Sequence, residues 1–301
     1  MISVVEPKSS MAKDKKHHYV PVCYLKHFAE DGQIYYYSKK RKQHNRCAIE
    51  NICESNYFYL IQEKSWWKMF EIEKDFLSYN VEANLGKIIN VIDATVKNTL
   101  RNTSSCERII IGEETRRAIA SMIFIQFYRT PRFRRFYSDI ILTRKGISSI
   151  THQYTEERVT DKVLVHALAT YLNKDLFRKT VDYLTTNQWI IRYSENDVFL
   201  SSDNPVVWMP LKEKDSDVFT IENIGESRCF LYYPITPHIV LEIYDKNMGG
   251  MSPDFDNLII RSDSEREFFL NTYTIINADD IVILRNKTID SYSVAFKLEI
   301  I

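Results

Sequence analysis

The chain has 301 residues, 45% of them hydrophobic, with 40 Lys plus Arg against 40 Asp plus Glu. That balance excludes a global basic field for nucleic acid and the charge-rich make-up of a disordered chain, so any electrostatic recognition has to be local. Gly and Pro are scarce, at 7 and 8, against 19 Tyr and 16 Phe, which favours packed helices and strands over linkers.

Residues Met1 to Lys16 are polar, Lys-rich and aperiodic; they read as a flexible arm with Met11 as a candidate start, and they hold no apolar signal segment. From His17 a short extended entry leads to a turn of helix around Pro21 to Phe28. Asp31-Gly32 then turns the chain into a strand, Ile34 to Tyr37. The basic stretch Lys39 to Arg46 reads as a loop, and Tyr57 to Leu60 as a second short strand. Ile72, Phe76, Tyr79, Ala83 and Gly86 recur at helical spacing and predict a long amphipathic helix over Phe70 to Leu100. A second helix opens at Gly112 with Glu113-Glu114 and runs to Thr130, where Pro131 disfavours the helical state. A third lies within Glu156 to Leu184.

Beyond it the runs become short and β-branched or aromatic: Trp189 to Arg192, Val198 to Ser201, Phe230 to Tyr233 and Ile239 to Tyr244. Ser264 and Glu267 have the spacing of a capping box and predict one more helix, followed by strands Ile281 to Arg285 and Ser291 to Lys297. The expected fold class is therefore α+β: a short N-terminal β segment, central long helices, and a mostly antiparallel C-terminal sheet with one late helix. With no Gly/Pro linker between them, residues 17 to 301 read as one domain.

Cys23, Cys47, Cys53, Cys106 and Cys229 are odd in number and form no C-x-x-C pair, which points to a reducing, cytoplasmic setting without a disulfide-linked partner. The longest apolar-aromatic run, Met122 to Tyr128, is too short to cross a bilayer.

Four sets of residues carry candidate chemistry. His17 and His18 are adjacent, so on a strand they face opposite ways and only one can reach a given site. Positions 119, 122, 126, 129 and 133 continue one helical stripe, which turns Gln126 and Arg129 inward among Ile119, Met122 and Phe133. An inward guanidinium needs a carboxylate, a phosphate or several carbonyls. Asp203 and Glu82 are the candidate carboxylates; Glu73, nine residues before Glu82, falls on the opposite helix face. Ser202-Asp203-Asn204-Pro205 closes a strand, where loops place binding groups and where Asx turns also form. Basic clusters at Lys39 to Arg46 and Arg129 to Arg135 suit phosphate groups, with a solvated face as the plain alternative.

No metal ligand set is read, because His44-x-x-Cys47-x5-Cys53 matches no usual zinc spacing. His17-His18-Tyr19-Val20-Pro21 resembles the first element of HNH endonucleases, but the rest of that motif is missing. The sequence indicates no particular cofactor and leaves the oligomeric state open.

His17-His18-Tyr19-Val20-Pro21 with Tyr24, Leu25 and Phe28, Gln126-x-x-Arg129-Thr130-Pro131, Ser202-Asp203-Asn204-Pro205, Tyr233-Pro234-x-Thr236-Pro237 and Asn271 run in one order along the chain. In that order they resemble the prokaryote-rich family named domain of unknown function 4238. The resemblance carries over positions and no catalytic role. The expected site has His17 or His18 as general base or metal ligand, Asp203 orienting it, and Gln126, Arg129, Arg132, Ser202, Asn204 and Asn271 binding substrate. The function expected is that of a hydrolase or nuclease-like enzyme on a phosphate-containing substrate, a nucleic acid or nucleotide. Two alternatives stay open: a non-catalytic ligand-binding or sensor module in a defence or mobile-element setting, and a purely structural buried polar network.

Overall fold

A computed structural model describes residues 16–60, 82–100, 106–109, 111–135, 172–210, 229–247 and 252–285, with single positions at 77, 163, 166, 167 and 170. It is α+β, with three sheets and helices of up to 18 residues among the described residues.

The N-terminal strand β1 (Lys16–His18) pairs with β4 (Glu54–Asn56) antiparallel, so His17 stands opposite Ser55 and His18 opposite Glu54. Pro21, extended at φ −60° and ψ 138°, starts the short helix α1 (Val22–Leu25), which tightens into a 3-10 turn at Lys26–Phe28 and buries Tyr24, Leu25 and Phe28. Asp31 and Gly32 both take left-handed backbone (φ 49° and 72°), as the tight reversal expected there requires. Strands β2 (Gln33–Ser38) and β3 (Gln43–Ala48) follow as a hairpin in a sheet of order β3-β2-β12-β7, with β7 at Ser201–Ser202 and β12 at Ile281–Leu284.

The largest sheet runs β5 (Cys106–Arg108), β11 (Leu258–Arg261), β6 (Gln188–Tyr193), β10 (Ile239–Tyr244), β9 (Cys229–Thr236), β8 (Val207–Pro210). Among the described strands only β11 and β6 run parallel. Helices α2 (Ala83–Leu100), α3 (Glu113–Tyr128) and α4 (Lys174–Thr186) share the main core with β6, β9 and β10. Phe124 of α3 meets Phe177 of α4 edge-on, with ring centres 5.3 Å apart. The late helix α5 (Ser264–Asn277) covers β12 through Ile275, packed in a smaller cluster with Val282, Leu284 and Leu200.

Several expectations are corrected. Lys39 to Arg46 is not simply a loop, since Gln43–Ala48 is strand β3. Tyr57 to Leu60 is a turn rather than a strand, and Tyr57 itself has φ 55°. Val198 to Leu200 lies extended without joining a ladder, and only Ser201–Ser202 pairs. The N-cap of α5 is Asp263, one residue before the predicted box, and its carboxylate accepts the Arg266 N–H at 2.7 Å. Helix α3 ends at Tyr128, with Arg129 as C-cap, and helix resumes at Pro131. Thr130 caps this new start, its Oγ1 accepting from Phe133 N, so Pro131 occupies the first helical position, where its missing N–H costs nothing. The strand expected at Ser291 to Lys297, residues 1–15 of the expected arm, the start of the helix at Phe70 and most of 156–172 lie outside the described residues; Lys16 belongs to β1.

Candidate functional site

Strand alternation separates the two histidines. His17 is buried, stacked on Tyr59 with ring centres 5.8 Å apart, and its Nδ1 accepts the Tyr59 backbone N–H at 2.9 Å. The His17 proton therefore sits on Nε2. His18 is half-buried on the other face and hydrogen-bonds the Glu50 backbone. Its Nε2 is closed off from solvent and has no hydrogen-bond partner. Burial lowers its pKa below 6.5 against the opposing pull of Glu82 and Glu54. At neutral pH this leaves a neutral ring whose Nε2 carries a lone pair.

The C-terminal end of α3 binds the backbone of this same segment. Gln126 Nε2 donates to the Tyr19 carbonyl at 3.1 Å. Arg129, with no exposed surface, donates from Nε to the Tyr59 hydroxyl at 3.0 Å and from Nη2 to the His18 carbonyl and to Glu82 Oε1, the latter at 3.0 Å. Of the two carboxylates considered for Arg129, Glu82 is the partner; its side chain is 21% exposed. The guanidinium groups of Arg129 and Arg134 both lie against the Tyr59 ring, at 5.8 and 5.6 Å from its centre.

The Ser-Asp-Asn-Pro turn works elsewhere. Asp203 Oδ1 accepts the Asp279 N–H at 2.8 Å, and Oδ2 accepts those of Asp280 and Ile281 at 2.8 and 2.9 Å. Neither imidazole is among its partners in the described residues, which corrects the expectation that Asp203 orients a histidine. Burial pushes the Asp203 carboxyl up to about 6, although the three N–H groups favour its anion. Ser202 Oγ accepts the Asn204 N–H, which makes a local turn. Asn204 and Asn277 exchange side-chain bonds to each other's carbonyls, at 3.2 and 2.8 Å. Arg132 donates to the Ile276 and Asn277 carbonyls at the end of α5. Asn271 accepts from Leu200 N at 2.9 Å and donates to the Val198 carbonyl at 2.8 Å, standing where a neighbouring strand would. In the Tyr-Pro-x-Thr-Pro stretch, the Pro234 carbonyl receives the Tyr24 hydroxyl at 2.8 Å, which also meets Ser201 Oγ at 2.6 Å.

The expected residues thus fall into two groups. His17, His18, Gln126 and Arg129 gather around Tyr59 and the 18–19 backbone. Asp203, Asn204, Arg132 and Asn271 join the C-terminal end of α5, the 279–281 turn and the 198–200 segment, and Ser202 closes the local turn before Asn204. Tyr19 adjoins both, because the Asp203, Asp279 and Asp280 charges act on its hydroxyl while its carbonyl holds Gln126. Buried acceptors Gln126 Oε1 and Asn204 Oδ1, and the Tyr233 hydroxyl, have no hydrogen-bond partner. Tyr59 and Glu50 were not read from the sequence as site residues: one lies in a turn mistaken for a strand, and the other contributes only backbone. Burial pushes the Cys23 thiol up to about 11, so it is not a thiolate nucleophile at neutral pH. Among the described residues no group of three or more His, Cys, Asp or Glu could hold a metal ion, and no helix is long and apolar enough to cross a membrane. Cys23, Cys47, Cys53 and Cys106 are free.

Fold and site together define an α+β protein in which polar side chains from distant segments clasp one another's backbone. The family described as Protein of unknown function (DUF4238) matches residues 16–288, and the chain belongs to it. No curated protein and no solved structure matches the chain.

Proposed function

We propose that the protein is a hydrolase acting on a phosphate-containing substrate, with His18 as its general base. The observation that carries this reading is the His18 ring: neutral, hydrogen-bonded to the Glu50 backbone, with Nε2 unpartnered. Once substrate binding admits a water to it, such a nitrogen can take that water's proton while the water oxygen bonds to phosphorus and the ester oxygen leaves. Glu82 and Glu54 favour the imidazolium formed in that step. The two guanidinium groups at Tyr59 supply positive potential beside the base and support an anionic substrate. In this reading Glu50 takes the orienting role first given to Asp203. Gln126 Oε1, an acceptor beside the 18–19 backbone, is left to meet the attacking water, whereas Arg132, Ser202, Asn204 and Asn271 belong to the framework.

The test is turnover of bis(p-nitrophenyl) phosphate, p-nitrophenyl phosphate and short oligonucleotides by purified protein and its H18Q variant. Loss of about 100-fold or more in H18Q, with an unchanged unfolding midpoint, is the expected result. Equal turnover by H18Q ends the assignment.

A second reading, the purely structural network, starts from a separate observation: Gln126, Arg129, Asp203 and Asn271 all bind backbone groups. A folded protein with no activity on any of these esters supports it.

A further inference from the structure

The basic segments 39–46 and 129–135 are far apart in sequence, and the fold brings them together at the C-terminal end of α5. Lys39 Nζ donates to the Ile275 and Ala278 carbonyls at 3.0 and 2.6 Å, and Arg132 donates to those of Ile276 and Asn277. These two cations meet the negative end of the helix dipole. Arg135 and Lys40 both reach the Asp279 carboxylate, and the Asp280 carboxylate is held by Ser38 Oγ and Lys40 N. Arg41 and Lys42, at the hairpin tip, are exposed. Lys40 and Arg135 keep 65% and 55% of their side chains in water despite their ion pairs.

Lys40 and Arg135 pair with Asp279, and Lys39 and Arg132 feel the Asp203 and Asp279 charges, while Arg41 and Lys42 carry the positive surface on to the hairpin tip. From Lys39 to Arg46 the hairpin carries five cations and no acid. A surface with both signs interspersed is the ordinary solvated arrangement, and this one has a surplus of one sign. Burial pushes the Lys39 ammonium down to about 8, against the pull of Asp203 and with a smaller push from Arg132.

We propose that the exposed rim of Lys40, Arg41, Lys42 and Arg135 binds the phosphate backbone of nucleic acid without reading its sequence. Guanidinium and ammonium donors match phosphate oxygens, and each phosphate neutralised releases counterions. A membrane surface fits less well, because the exposed large hydrophobic side chains among the described residues are Tyr57, Val91, Phe255, Phe268 and Tyr273, and none lies on the hairpin or in 129–135. The proposal narrows the phosphate-containing substrate to a polymer, yet it stands without any chemistry at His18.

The experiment is fluorescence anisotropy of the full chain with a labelled oligothymidylate and a labelled duplex across a salt series, with phosphatidylserine vesicles as the competing surface. The K40Q/R41Q/K42N variant removes the tip charges; Asn is chosen at 42 because Lys42 has φ 52°, a conformation Asn tolerates. Wild type should bind at low salt and weaken about tenfold or more on a fourfold rise in salt. The triple variant should lose about tenfold in affinity, with a single-strand salt slope shallower by ~2, at an unchanged unfolding midpoint. R41Q alone should lose a few-fold, and H18Q should bind as wild type, so failure of the hydrolytic reading is seen separately. Absence of oligonucleotide binding at low salt, unchanged binding by the triple variant, or binding to vesicles alone would overturn the proposal.

Discussion

Arg129 shows how one side chain can define a segment's path. Its guanidinium joins a helix end, a turn tyrosine, a strand carbonyl and Glu82, all with no solvent contact of its own. Replacement by Met would keep much of the volume and leave Glu82 and the His18 carbonyl without their donor. Urea unfolding should show R129M destabilised by about 3 kcal/mol. Asp203 offers a pH test. Its folded pKa, about 6, lies above the ordinary 3.8, so its titration contributes stability that is complete below about pH 4 and is lost as pH rises through about 6. The stability of wild type relative to D203N should therefore fall across that window by ~2 kcal/mol, measured by urea midpoints at pH 4.5 to 7. A difference that grows with pH would mean that the three N–H donors outweigh burial.

At the level of elements, the helices and the inner strands were readable because their apolar period matches their geometry: α3, α5, β2, β6, β9, β10 and β12 all fall where the pattern predicts them. Strand β3 reads as part of a loop because Gln43 to Arg46 are polar and mostly exposed; its side chains meet β2 through His44 on Tyr37 and Arg46 over Tyr35, contacts that leave no hydrophobic period. The extended run at Val198 to Leu200 was misread for the opposite reason. It has strand composition, but Leu200 N and the Val198 carbonyl bond the Asn271 amide and only Phe199 N reaches backbone across from it, at Pro237, so no ladder forms. N271A should accordingly cost ~2 kcal/mol, since the buried Leu200 N–H and the half-buried Val198 carbonyl lose their partners. The cap of α5 was displaced by one residue because Asp263 and Ser264 are both good caps and only geometry chooses between them. D263A should lower stability by about 1 kcal/mol, whereas S264A should leave it unchanged, a comparison made by thermal unfolding.

For the whole molecule, the candidate site was legible as a list of residues and only partly as an arrangement. The inward turn of Gln126 and Arg129 follows from helical spacing, and Glu82 was already one of two named partners. What the sequence could not display is that carbonyl and N–H groups of remote segments are the partners, because backbone atoms are the same at every position. The account rests on a division of labour in which Gln126, Arg129, Asp203 and Asn271 hold the chain together while His18 keeps a nitrogen free for chemistry. The most direct measurement is a set of urea unfolding midpoints for wild type, Q126A, R129M, N271A and H18Q at neutral pH. The account predicts lower midpoints in the first three variants and an unchanged one in H18Q. Wild-type midpoints in Q126A, R129M and N271A, or a fall in H18Q as large as theirs, would contradict it.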